Sequence, residues 1–169
     1  MTSDNTARRL RWVSFQITFF DVHGFADSFF LTSARESGLV AEIVPIAELK
    51  PVIAVAHGNP KGVSSLADLT RPDIRLVLPN PEAAAIGQIA RAALNEGWEP
   101  LAARARTFKP TVNDLANDLK LGSADASILW GSTAAQYPEI DVVPGDFFGD
   151  ASSEVGVGVL TFSKEPQAA

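Results

Sequence analysis

The chain has 169 residues, 46% hydrophobic and 20% charged, with a net charge of −6 and no cysteine. That length suits one ordinary domain able to bury a real core, and the composition speaks against a disordered or membrane-spanning chain. The acidic balance argues against nucleic acid, whose phosphates need a basic footprint, and the lack of cysteine excludes disulfides, thiolate catalysis and sulfur-ligated zinc.

Residues 1–24 are left unassigned, although Phe15–Phe20 has the composition of a strand. Arg8, Arg9 and Arg11 precede apolar residues that Ser14, Gln16, Thr18 and Asp21 interrupt, so no signal peptide is evident. Ala26 to Val40 carries a loose helical pattern ending at Gly38, a C′ glycine, with Arg35 near the negative end of the helix. A polar turn follows, then the apolar strand Pro51–Ala56 and a dense turn signal from His57 to Gly62. Ser64 or Ser65 caps a short helix through Leu69, and Arg71-Pro72-Asp73 breaks it before a strand at Ile74–Leu78.

The stretch from Asn80 to Trp98 reads as the helix of a βα unit. Ile86, Ile89, Ala90, Ala93 and Leu94 fall on one helical face, with Asn80 as N-cap and Pro81 as the first helical residue. Ala83, Ala84, Ala85 and Gly87 leave the backbone amides of the first turn uncovered, and such a helix start attracts anions. Asn95-Glu96-Gly97 stops the run, and Leu101–Arg106 forms a further turn or two of helix. A second switch follows Phe108: Val112, Leu115, Ala116 and Leu119 form a stripe closed by Gly122, and Thr111 with Asp114 has capping-box spacing. The third switch is the strand Ala124–Trp130 leading into Gly131-Ser132-Thr133 and a short helix before Pro138. Ile140–Val143 and Val155–Phe162 are two further strands, separated by a loop rich in glycine and aspartate.

Strands alternating with helices predict an α/β fold with a mainly parallel sheet and flanking helices. Ligands of such sheets sit beyond the carboxyl ends of the strands, so the turns after Leu78, Phe108 and Trp130 lie along one edge and can aim three sets of amides at one anion. Lys109 alone among basic residues sits in those turns, so coordination falls to neutral N–H dipoles. A shell of donors suits a fully ionised oxyanion, whereas a protonated one also needs an acceptor.

The segments KPVIAVAHGNPKGVSSLADL, RPDIRLVLPNPEAAAIGQIA and KPTVNDLANDLKLGSADASILWGSTAAQYP, in this order, resemble the molybdate/tungstate-binding proteins of ABC importers. The resemblance implies a type II periplasmic-binding-protein fold, in which two lobes close on a tetrahedral oxyanion. It implies a remnant of the first lobe at 25–50 and a largely complete second lobe at 51–169, with hinge strands near 51–57 and 155–162. It assigns the oxyanion to backbone amides of Ala85, Ile86 and Val112, and matches Trp130 to the family's aromatic ligand residue, commonly tyrosine. Met1 to Gly24 does not resemble the family's opening strand and serine-bearing loop, so the chain reads as a truncated relative. The same resemblance implies no catalysis, no cofactor beyond the molybdate or tungstate ligand, a membrane permease as partner and a periplasmic or extracellular location. The runner-up is a non-transport sensing module of the same fold, or a relative that no longer binds, with self-association through the face where the first lobe would pack.

Other chemistries fit the residues less well. Ser64, Ser65, His57 and Asp68 hold the ingredients of a hydrolytic triad, but the G-x-S-x-G elbow is missing. His23 and His57 are isolated, and Asp146, Asp150 and Glu154 lack EF-hand spacing. The Gly58–Gly62 segment lacks the full phosphate-loop pattern and reads as a turn.

Overall fold

The computed structural model describes residues 22–161, so the strand read at Phe15–Phe20 lies outside the described residues. The chain divides into two compact units, Met1–Glu48 with Glu154–Ala169, and Leu49–Ser153.

In the first unit, β1 (Val22–Asp27), β2 (Val40–Leu49) and β8 (Ser153–Leu160) form a sheet in the order β1-β8-β2, with β1 antiparallel to β8. Helix α1 (Ser28–Glu36) ends as expected: Gly38 has φ +73°, its N–H reaches Arg35 O at 2.9 Å and that of Leu39 reaches Ala34 O at 3.0 Å. Strand β8 thus pairs with elements near the start of the described residues. The polar turn expected after Val40 is instead the ten-residue strand β2. Pro45 and the scattered glutamates hid it, and β2 occupies a sheet edge, where a missing N–H is tolerated.

The second unit is built on β3 (Pro51–Ala56), β4 (Val77–Pro79), β5 (Thr107–Lys109), β6 (Ala126–Trp130) and β7 (Ile140–Val142). Strand β3 runs antiparallel to β6 and β7, while β4 is parallel to β5 and meets β6 through a parallel bridge from Leu76 to Ala126. The strands that feed helices thus run one way, as the alternating pattern predicts, and β3 alone runs against them. Between them lie α2 (Ala85–Leu94), α3 (Trp98–Arg104), α4 (Val112–Lys120) and α5 (Gly131–Ala134).

Side chains alternate across these strands, so each feeds two cores. Ile53, Val55, Leu76, Leu78, Ile128 and Trp130 pack with Ile86 and Ala90 of α2 and Trp98 and Leu101 of α3. On the other face Ala54, Val77 and Leu129 pack with Leu115, Ala116 and Leu119 of α4. Each fully buried leucine or isoleucine contributes about 1.5–3 kcal/mol relative to exposure. At the amino ends of β4 and β6, Arg75 ties the strands together. Its backbone N–H and Nε donate to Asp125 Oδ2 at 2.8 and 3.0 Å, and its Nη1 donates to Gly122 O at 2.6 Å. The Arg75 guanidinium holds the Asp125 carboxyl, only 5% exposed, below the ordinary carboxylate range.

Candidate functional site

Helix α2 starts later than the sequence indicates. Asn80 Oδ1 accepts from the Glu82 N–H at 2.9 Å, and its carbonyl accepts from Ala83 and Ala84 at 3.2 and 2.9 Å. The asparagine closes a turn of its own, which displaces it from the cap. The N-cap is Ala84, extended at φ −130° and ψ 131°, with no side-chain cap. Ala85 and Ile86 thus become the first two helical residues, and their N–H groups take no partner among the described residues. The turn folds back onto the helix: a Cβ at Gly87 would lie 2.7 Å from the Asn80 carbonyl carbon and oxygen. Glycine is needed here for close approach, a role the sequence does not announce.

Helix α4 starts where the sequence places it. Thr111 Oγ1 accepts from the Asp114 N–H at 3.2 Å and donates to Asp114 Oδ2 at 2.7 Å, leaving the Val112 N–H unpartnered among the described residues. The strands that lead toward the two helices are neighbours. Pro79 and Lys109 are in register at the ends of β4 and β5, and the Asn80 N–H donates to Lys109 O at 2.8 Å. Because β6 is parallel to β4 with Leu76 beside Ala126, Trp130 ends its strand level with Asn80. The segments that lead to Ala85 and Ile86 and to Val112 therefore leave two strand ends adjacent in order to the one that Trp130 closes.

Trp130 is only 7% exposed, and its side chain belongs to the core cluster against which Ala84, Ala85 and Val112 also pack. Lys109 does not offer a free cation to these turns: its Nζ lies 2.9 Å from Asp118 Oδ2 on α4, a partner that sequence spacing did not flag. An open depression of ≈ 670 Å³ lies on the outer side of α2, lined by Glu82, Gln88, Arg91, Asn95, Glu96 and Glu99 among others. None of Ala85, Ile86, Val112 and Trp130 lines it.

The competing chemistries lose their support. The hydroxyls and N–H groups of Ser64 and Ser65 all donate to Asp68 Oδ2, at 2.9–3.0 Å. Led by the Ser64 N–H, these bonds lower the Asp68 pKa to about 2. His57 bonds through Nδ1 to Asp141 at 3.2 Å and not to either serine, so no triad is assembled. Asp141 is itself held low, first by the Gly58 N–H and then by His57. Among the described residues no group of three histidines or carboxylates is placed to hold a metal ion.

A family model described as bacterial extracellular solute-binding protein matches residues 3–169. The chain belongs to this family. Solute-binding proteins are a binding family and not an enzyme family. The molybdate-binding protein ModA of Mycobacterium bovis is 34% identical over 121 residues, covering 68% of this chain and 43% of that protein. The same figures hold for ModA of Mycobacterium tuberculosis. The chain thus spans less than half the length of the curated relatives it matches.

Solved structures bear out the type II periplasmic-binding-protein fold. The substrate-binding domain of a Clostridium difficile ABC transporter assigned to molybdenum aligns with a TM-score of 0.64 at 19% identity, covering 82% of this chain and 62% of that one. The sulfate-binding protein SubI of Mycobacterium tuberculosis aligns at 0.61 and 16% identity, covering 82% and 56%. Among the described residues no helix is long and apolar enough to cross a membrane.

Proposed function

We propose that this solute-binding protein captures a tetrahedral oxyanion, molybdate or tungstate, and presents it to the membrane permease of an ABC importer outside the cytoplasm. The observation that carries the reading is the pair of unpartnered helix starts, at Ala85–Ile86 and at Val112, on strand ends joined by the bond from Asn80 N–H to Lys109 O. Free N–H groups and the positive ends of two helix dipoles favour an anion, each helix end by about 0.3–1 kcal/mol at an exposed site and more where water is excluded. The indole N–H of Trp130 would add a donor from the third strand end. Similarity to ModA supports molybdate as the ligand. With donors only, the site favours a dianion carrying no proton, and separating molybdate and tungstate from sulfate would rest on the size of the ligand.

The test is a thermal-shift series with molybdate, tungstate, sulfate and phosphate, since a ligand bound by the native state raises the melting temperature by mass action. A rise of several degrees for molybdate or tungstate at millimolar concentration, with little for phosphate, is expected. Equal responses to all four, or none, would refute the reading.

A further inference from the structure

We infer that Asp118 sets anion selectivity by holding the Lys109 ammonium away from the strand-end site. This rests on the oxyanion reading and adds to it a residue outside the set of donors. Lys109 ends β5 two residues before the Thr111 cap, and its carbonyl is bonded to Asn80. It is therefore the cation closest in sequence to Val112 and is fixed by its backbone between the turn that precedes α2 and the cap of α4. Its side chain runs along α4 instead, to the carboxylate of the seventh residue of a nine-residue helix.

That carboxylate is locked in place. Ser123 Oγ donates to Asp118 Oδ1 at 3.1 Å and to its carbonyl at 3.0 Å, leaving Oδ2 for Lys109 at 2.9 Å. The Ser123 N–H also bonds the Asp118 carbonyl at 2.9 Å, part of the turn that Gly122 closes at φ +67°. Side chains of Lys109 and Asp118 are 29% and 20% exposed, so the pair is sheltered enough to hold and close enough to water to be exchanged. The other nearby cation, Lys50, whose carbonyl accepts from Gly131 N–H, is solvent-exposed and screened. With Lys109 neutralised, only N–H dipoles address the ligand, and shape discriminates better than charge among oxyanions of similar charge. A free ammonium would attract any dianion and blur that choice.

The experiment is isothermal titration of the full chain and of Asp118→Asn with molybdate and sulfate, each at low and high sodium chloride. Asn at 118 keeps an acceptor for Ser123 while removing the charge that holds Lys109. The wild-type affinity should be nearly flat with salt. The variant should bind both anions about five- to tenfold tighter at low salt, lose that gain at high salt and discriminate less between them. The double variant Asp118→Asn with Lys109→Met should return to wild-type behaviour, which a merely structural role for Asp118 does not predict. If the Asn variant does not melt cooperatively, Asp118→Ser provides the same release. Unchanged affinity and salt response in a folded variant overturn the inference while leaving the oxyanion reading intact. No heat from either chain with either anion refutes that reading and the inference with it.

Discussion

Replacing Gly87 by alanine sets two well-calibrated effects against each other. Helix propensity favours alanine over glycine by at most about 1 kcal/mol at Gly87, the third residue of α2. The structure opposes it: the new methyl would sit 2.7 Å from the Asn80 carbonyl carbon and oxygen and 2.8 Å from Pro81 N, all backbone atoms. They cannot rotate aside, because Glu82, Ala83 and Ala84 bond to Asn80 and the Asn80 N–H bonds to Lys109. Relief requires the turn or the helix to shift, and such overpacking costs about 1–3 kcal/mol. The clash therefore wins by about 1 kcal/mol, which for a chain of this length lowers the melting temperature by about 3 °C. Thermal unfolding followed by far-ultraviolet circular dichroism measures it. A molybdate titration of the same variant should show weakened binding, because the displaced turn carries Ala85 and Ile86. A variant more stable than the parent by the propensity term, with binding unaltered, would show that the turn yields freely and that glycine is not there for close approach.

Ser127 Oγ is fully buried in β6 without a hydrogen-bond partner among the described residues, so Ser127→Ala should stabilise the fold by about 1 kcal/mol; a lower denaturation midpoint would mean the hydroxyl is satisfied. Thr111→Ala removes the cap of α4 and should cost about 1 kcal/mol in urea unfolding while weakening molybdate binding at Val112. Asp68, with a folded pKa of about 2, and Asp125, also held low, titrate below an unfolded value of about 3.9, so their contribution is complete above that value and lost as the pH falls toward 2. Urea midpoints should drop through that window, and Asp125→Asn should flatten part of the slope; a parent chain equally stable across the window would contradict the assignment.

The βα units were legible because their signals are local. Leu115, Ala116 and Leu119 repeat at helical spacing between a threonine cap and a C′ glycine, and α4 begins and ends at those signals. Asn80 misled because asparagine closes its own turn as readily as it caps a helix, and only tertiary contact decides between the two. Strand β2 was missed because its proline and glutamates obscure alternation, and an edge strand needs neither a full ladder nor a continuous apolar face. The Lys109–Asp118 pair was invisible in sequence because it joins a strand end to the far part of the following helix, a spacing set by how α4 packs back on the sheet.

The second unit is one unbroken stretch of chain, whereas the sheet of the first unit joins Val22 to Val159. A ribosome releases residues in order, so Leu49–Ser153 has all its strands in hand before β8 emerges, while β1 must wait until that whole stretch has been made. Closing so distant a pairing is slow, and until it forms β1 and β2 lack the strand that joins them. Folding should therefore show an early phase that completes the stretch bearing Ala85, Ile86, Val112 and Trp130, and a late phase in which β8 docks. In the interval the chain carries unpaired strand edges, and a cell making this protein meets its aggregation hazard there.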